Sequence, residues 1–234
     1  MERTVQLLGS EKAAVLNRSH VLVAGLGGVG SMAAEMLARA GIGEMTLVDS
    51  DTIQLSNINR QIPALHSTIG RSKAEVVGER LKDINPGLFL HTKEIYLDGQ
   101  SIAELLSDSF DFIVDAIDTL TPKILFIEQA VRSGYPLTSS MGSGGKTDPS
   151  LVRIDDFSRS NNCRLAYLLR KKLRKRGIEK GFTVVFSTER VDKEHLLPAA
   201  GERNKKSTVG TISYLPAIFG CLLASVVVNE LTGS

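Results

Sequence analysis

Cysteine is scarce: Cys163 and Cys221 are the only two among 234 residues. Two thiols cannot build a four-thiolate zinc site or a disulfide framework. A reducing cytoplasm is the simplest compartment for such a chain. The opening residues, Met1-Glu2-Arg3-Thr4-Val5-Gln6, contain no apolar signal region. Uncharged stretches are scarce too. One, Ile212 to Val228, runs for seventeen residues, but it carries Ser213, Tyr214, Pro216, Gly220 and Ser225 and sits at the short limit for a membrane span. It is expected to form a buried strand and helix, with Cys221 packed inside the helix.

What is present describes a globular protein. Hydrophobic residues make up 42% and charged residues 23%, which excludes disorder as the main state. The length suits one domain, or one and a half. The net charge of +2 hides an asymmetry. Residues 161–206 hold 13 Lys and Arg against 5 Asp and Glu, a local excess of eight positive charges, while the rest carries six net negative ones. A basic block on a nearly neutral chain points to an anionic partner, or to a solvated helix face.

The first half alternates strands and helices. Short apolar runs at His20–Ala24, Met45–Val48, Leu88–Ile95 and Phe110–Val114 predict strands. Helices are expected at Val29–Ala40, Lys73–Ile84, Ser101–Leu106 and Pro122–Arg132. This alternation implies a parallel α/β sheet with right-handed crossovers. After Pro136 the pattern changes. Strands are expected at Leu137–Met141, Leu151–Ile154, Thr183–Phe186 and Thr211–Tyr214, with a basic helix at Leu165–Arg176 and a closing helix at Pro216–Leu231. One domain results, a Rossmann-like sheet flanked by helices: a nucleotide-binding half, 1–135, and an elaborated half, 136–234, that extends the sheet.

Gly25-Leu26-Gly27-Gly28-Val29-Gly30 lies between a strand and a helix. Such glycines permit a tight turn and let backbone N–H groups approach phosphates at a helix N-terminus. Asp49 follows Gly30 by 19 residues, at the end of the next strand, where an acid can bind ribose hydroxyls. A nicotinamide dinucleotide would also fit this pattern. Three residues argue for ATP instead: Arg60 in Asn57-Ile58-Asn59-Arg60-Gln61, Lys73 at a helix start, and Asp118 after the fourth strand. An arginine, a lysine and a second carboxylate at the carboxyl ends of parallel strands suit a triphosphate with Mg²⁺. Gly145-Lys146-Thr147 imitates the end of a Walker A loop, but that motif needs glycine where Ser140 stands. Cys163 has no base beside it in the sequence to make it a thioester nucleophile.

The glycine loop, Asp49-Ser50-Asp51, Ser56-Asn57-Ile58-Asn59-Arg60-Gln61, Lys73 and Asp118 together resemble the ubiquitin-activating-like adenylating family, relatives of MoeB and ThiF. Within it, Asn59-Arg60-Gln61-Ile62, Ile84-Asn85-Pro86, Asp115-Ala116-Ile117-Asp118 and Val185-Phe186-Ser187-Thr188-Glu189 are most similar to the tRNA threonylcarbamoyladenosine dehydratases. Pro63 departs from that subgroup, which usually has His there. The resemblance implies that Gly25, Gly27 and Gly28 line the nucleotide loop, with Asp49 and Asp51 at the ribose. It implies that Asn57, Arg60 and Lys73 hold phosphates, and that Asp118 binds Mg²⁺. Arg3 would reach across a homodimer to ATP in the other subunit. The implied reaction is ATP-dependent cyclisation of threonylcarbamoyladenosine in tRNA through carboxylate adenylation. A second reading is adenylation of the C-terminal glycine of a ubiquitin-like sulfur carrier, and a sulfur-transfer protein is a further partner the family suggests.

Overall fold

The computed structural model describes residues 1–191, 196–198 and 207–234. Arg203, Lys205 and Lys206 of the basic block lie outside these residues.

Two short helices open the chain, α1 (Glu2–Leu8) and α2 (Ser10–Arg18). Neither was expected from the sequence, and α1 buries none of its residues, so it leaves no apolar stripe to read. The alternating half follows: β1 (His20–Ala24), α3 (Gly30–Ala40), β2 (Glu44–Val48), α4 (Lys73–Ile84), β3 (Phe89–Lys93), α5 (Gly99–Leu105), β4 (Phe112–Asp115), α6 (Leu120–Arg132) and β5 (Leu137–Ser140). Helix ends carry chemical signals. Gly41 stops α3 in the left-handed conformation, the Ser72 hydroxyl accepts from Glu75 N to open α4, and Asp98 caps α5.

The second half adds β6 (Val152–Asp156), α7 (Arg164–Arg174), β7 (Thr183–Ser187), β8 (Leu196–Pro198), β9 (Ser207–Val209) and α8 (Tyr214–Thr232). Seven strands form one sheet in the order β3-β2-β1-β4-β5-β7-β6. Six run parallel, and β6 pairs antiparallel with β7 at the edge. The expected Rossmann-like, mostly parallel sheet with an extension from the second half is therefore present. The expected strand at Thr211–Tyr214 is not. Tyr214 already belongs to α8, and the Thr211 carbonyl accepts from Asn59 Nδ2 at 2.9 Å instead of joining a ladder. The antiparallel pair β8–β9 stands nearby in sequence, outside the main sheet.

Alternate strand residues face opposite layers. Val21, Val23, Met45, Leu47 and Val114 face one core, shared with Leu37 of α3, Leu81 of α4 and Phe219 and Leu223 of α8. Leu22, Ala24, Val48 and Ile113 face the other, shared with Leu105 of α5, Phe126 of α6 and Leu169 of α7. The helix α8 is long and apolar enough to cross a membrane by length and composition alone. Leu215, Phe219, Leu223 and Val227 are nevertheless fully buried, so its inner face belongs to the core. Cys221 corrects an expectation: it is exposed, because it falls on the outer face of α8, one position beyond the buried Gly220.

Candidate active site

The strand order reverses between β1, whose chain continues outward to β2, and β4 on its other side. In open α/β sheets that reversal leaves a crevice at the carboxyl ends of the strands. Here it opens into a cleft of about 940 Å³. Gly25, Gly27, Gly28, Asp49, Asp51, Asn57, Arg60, Lys73 and Asp118 all line it. Sequence reasoning thus named nine residues that the fold brings to one place. Arg3 does not line it. Its helix starts at the other end of α3, where Met1 lies 3.6 Å from the position a side chain on Gly41 would take.

The turn from β1 to α3 shapes the floor. Gly25 has φ +88°, and its N–H donates to Val48 O at 2.8 Å. A Cβ on Gly25 would stand 2.7 Å from Ala116 O of the neighbouring loop. Gly27 is different: the nearest atom to its Cβ position is Gln61 Nε2 at 3.7 Å, so its open side faces the cleft.

Asp49 fixes that turn from the side. Its Oδ2 accepts from Leu26 N at 2.6 Å and its Oδ1 from Asp51 N at 2.8 Å. Burial raises its pKa, opposed by the Lys73 charge and those two backbone donors. Asp51 is exposed and pairs with Lys73, Oδ2 to Nζ 2.8 Å. Lys73 itself is buried, more so than a cleft-facing solvated lysine would be. Its ammonium is held at the cleft wall by one exposed carboxylate, which a phosphate can replace.

Asn57 ends the short 3₁₀ turn at Leu55–Asn57, and Arg60 lies in the turn that follows it. Arg60 Nη1 donates to Ser56 O at 2.8 Å and to Asn59 Oδ1 at 2.9 Å, which braces the guanidinium at the cleft. Asn57 is buried, and its Oδ1 accepts from Gln54 N at 3.0 Å. That leaves its amide N–H groups as the donors for an anion. Asp118 is exposed and accepts from Thr119 Oγ1 at 3.2 Å.

Two features were not assigned from the sequence. Gln61 is buried beside the loop, and its Oε1 has no hydrogen-bond partner among the described residues. Its place next to Arg60 in the motif was the available signal. The second feature lies under the Asp118 loop. Asp115 is fully buried, with Lys123 Nζ 2.7 Å from Oδ2, Ser139 Oγ donating at 2.7 Å and Ile117 N donating at 3.1 Å. The Lys123 ammonium is close enough for an ion pair but lacks an aligned hydrogen-bond acceptor among the described residues.

The imitation Walker lysine does other work. Lys146 is buried and donates to Ser187 O at 2.6 Å, Glu189 O at 2.9 Å and Asn162 O at 3.4 Å. Burial lowers its pKa, opposed by the Glu189 carboxylate. Cys163 is buried and its sulfur accepts from Ala166 N at the start of α7.

The ThiF family matches over residues 1–234. The chain belongs to the ThiF family. Among members of known function, the tRNA threonylcarbamoyladenosine dehydratase of Bacillus subtilis (strain 168) is 36% identical over 231 residues, covering 96% of this chain and 91% of that protein. The Escherichia coli (strain K12) dehydratase is 37% identical over 193 residues, covering 80% and 72%. The crystal structure of the E. coli dehydratase TcdA in complex with ATP superposes with a TM-score of 0.91 at 32% identity, over 99% of this chain and 93% of that one. The ThiF-family cleft found here thus has full-length counterparts.

The two glycines give contrasting variants. Gly25→Ala forces an L side chain to φ +88° against a backbone oxygen, and is expected to cost more than about 1 kcal/mol of stability in denaturant melts. Gly27→Ala meets no protein atom closely, so its melting temperature should stay near wild type. Its methyl would occupy the ligand side, and ATP affinity by calorimetry should fall by about tenfold or more, some 1.4 kcal/mol.

Proposed function

We propose that this chain is an ATP-dependent adenylating enzyme that cyclises threonylcarbamoyladenosine in tRNA with net loss of water. The observation that carries the reading is the convergence of Arg60, Lys73 and Asp118 on the glycine turn, in a chain similar to the dehydratases over nearly its full length. The chain acts as one adenylating domain, with residues 1–135 binding the nucleotide and 136–234 serving substrate and dimer contacts.

The chemistry follows from the positions. Backbone N–H groups of the glycine turn and the start of α3 face the phosphates. Asp49 receives the ribose. Lys73, Arg60 and Asn57 neutralise and orient the triphosphate, so the substrate carboxylate meets the α-phosphorus in line and pyrophosphate departs. Asp118, an exposed carboxylate at the cleft, would hold Mg²⁺, which would supply charge neutralisation there. In the acyl-adenylate, AMP is a good leaving group. A heteroatom of the urea in the same side chain then attacks the activated carbonyl, the ring closes and AMP leaves. The attack is intramolecular, so high effective molarity removes the need for a protein nucleophile. Cys163 fits that economy, being buried in a structural cap. Arg3, absent from the cleft of its own chain, acts in the other subunit of a homodimer. The reading puts the enzyme in the cytoplasm, with a sulfur-transfer protein as a further candidate partner.

The tRNA body meets α7. The structure divides the basic residues there into two groups. Arg170 is turned inward: its Nη1 contacts both Ser160 O and Ser160 Oγ. Arg174 pairs with Glu179 at 3.1 Å, and Arg176 pairs with Glu128 of α6. Lys171, Lys172 and Lys175 are exposed, with no ion pair among the described residues. These three lysines are the phosphate-facing set, and Arg170 belongs to the scaffold.

The central test is mass spectrometry of nucleosides from modified tRNA incubated with protein and ATP. The cyclised nucleoside should form with the wild type, and Lys73→Ala should slow it by about 10²–10³. No product from the wild type refutes the reading. Arg3→Ala should lose about 10³–10⁵ in rate. Mixing it with Asp118→Ala subunits should restore activity, because one composite site keeps both residues; no rescue after subunit exchange removes Arg3 from the partner's site. Changing Lys171, Lys172 and Lys175 to Ala should weaken tRNA binding and flatten the slope of log K against log salt by about 0.7–0.9 per lost contact. ATP binding should be unchanged. An unaltered slope assigns docking to another surface.

A further inference from the structure

The four histidines of the chain are His20, His66, His91 and His195. Two of them meet away from the cleft, His20 at the start of β1 and His91 in the middle of β3. His20 and Glu44 are direct partners in the parallel pairing of β1 with β2, and His91 is opposite Thr46 in the pairing of β2 with β3. The parallel register therefore sets His20, Glu44, Thr46 and His91 on one face, on strands about 4.8 Å apart. The ligand atoms converge. Glu44 Oε1 lies 3.6 Å from His20 Nδ1 and 3.0 Å from His91 Nε2, and the three donor atoms all fall within 4.8 Å of one another.

From this convergence, we infer that His20, Glu44 and His91 form a binding site for a divalent transition-metal ion of the Zn²⁺ class. The spacing supports it. Tetrahedral bonds of about 2.0–2.1 Å set ligand atoms roughly 3.3 Å apart, and the two measured edges bracket that value. The donor set is two imidazoles and one carboxylate, which suits zinc and its neighbours better than Mg²⁺ or Ca²⁺. The orientation of His20 is also set. Its Nε2 lies 2.8 Å from Thr46 Oγ1. With the ring proton on Nε2, donated to that hydroxyl, the Nδ1 lone pair is turned to Glu44. An outer hydrogen bond of this kind orients a metal-bound imidazole.

Aromatic rings wall the cluster. Phe110 packs on His20 with ring centres 4.7 Å apart, and Phe89 meets His91 edge-on at 4.8 Å. All three candidate ligands remain partly exposed, so an ion has a path in and water can complete the coordination. Five residues of extended chain, roughly 16 Å, separate His20 from Gly25 at the cleft. The ion would clip the first residues of β1 and β2 to the middle of β3 rather than touch the nucleotide. The competing account is a proton: a plain hydrogen-bonded pair between Glu44 and His91 gives the same 3.0 Å contact.

Calorimetry with Zn²⁺ on the untagged full-length protein separates the two. A Cys221→Ser background removes the exposed thiol as a competing ligand. One equivalent of Zn²⁺ should bind, and Co²⁺ substitution should give the visible absorption of a low-coordinate site. His91→Ala and Glu44→Gln should each abolish that binding, with near-native circular dichroism showing the fold intact. Thr46→Val, which keeps all three ligands, should weaken it by about 10–100-fold. Absence of stoichiometric Zn²⁺ binding in the parent, or binding that survives both ligand variants unchanged, overturns the proposal and leaves the cluster as a hydrogen-bonded staple.

Discussion

Asp49 accepts one hydrogen bond from the Leu26 amide at 2.6 Å and another from the Asp51 amide at 2.8 Å, so one carboxylate joins the glycine turn to the segment after β2. The linkage continues. Asp51 O accepts from Lys73 N at 3.0 Å, and Asp51 Oδ2 holds the Lys73 ammonium. The glycine turn, Asp49, Asp51, Lys73 and the start of α4 therefore form one hydrogen-bonded unit. Burying the Asp49 charge is costly, and the rise in its pKa reflects that. Two charge-assisted backbone bonds and the nearby lysine offset the cost. The result is a cleft wall whose turn, acid and lysine are fixed relative to one another, the kind of preorganisation that electrostatic catalysis requires.

A second buried network does the same for the opposite wall. Asp115 and Lys123 are both fully buried. A buried ion pair adds little net stability, because desolvation opposes the attraction. Its effect here is positional. Ser139 Oγ and Ile117 N also converge on Asp115, so β4, β5, α6 and the loop to Asp118 are tied at one point. Lys146 supplies the third such knot, binding three carbonyls from two segments. Its side chain gives the buried Ser187 carbonyl a hydrogen-bond partner and ties two partly buried carbonyls to it.

The first half was legible because each of its elements has a local cause. Apolar runs, a glycine turn and an acid at fixed spacing each dictate backbone or chemistry within a few residues, and nine cleft residues follow from them. What was missed depends on distant contacts. The helix α1 has no buried face to give it a period. Thr211–Tyr214 has strand composition, yet among the described residues no strand pairs with it, and its start is taken by Asn59. Cys221 sits in an apolar run, but only the packing of α8 decides which side of the helix faces water. The sequence shows eight basic residues between Arg164 and Lys180. It does not show that Ser160, Glu179 and Glu128 engage three of them. Lys73 was readable as a cleft residue, while its burial was not, since its partner Asp51 comes from the segment after β2.

The engaged arginines on α7 also bear on how a large substrate is placed. Arg176 pairs with Glu128 on α6, and Arg132 Nη2 donates to the Arg176 carbonyl at 3.1 Å, so the end of α7 is locked to α6. The helix α6 begins at Leu120, two residues after Asp118. Eight residues of helix, roughly 12 Å, separate that start from Glu128. The exposed lysines therefore stand at a fixed offset from Asp118 instead of on an independent arm. Phosphate contacts carry little sequence information but set register and orientation. On the docking proposed above, a surface locked to the helix that follows Asp118 would convert that orientation directly into the position of one modified base in the cleft. A 1 Å error at the reacting atoms can cost about a hundredfold in rate, so such rigidity matters more for turnover than for affinity.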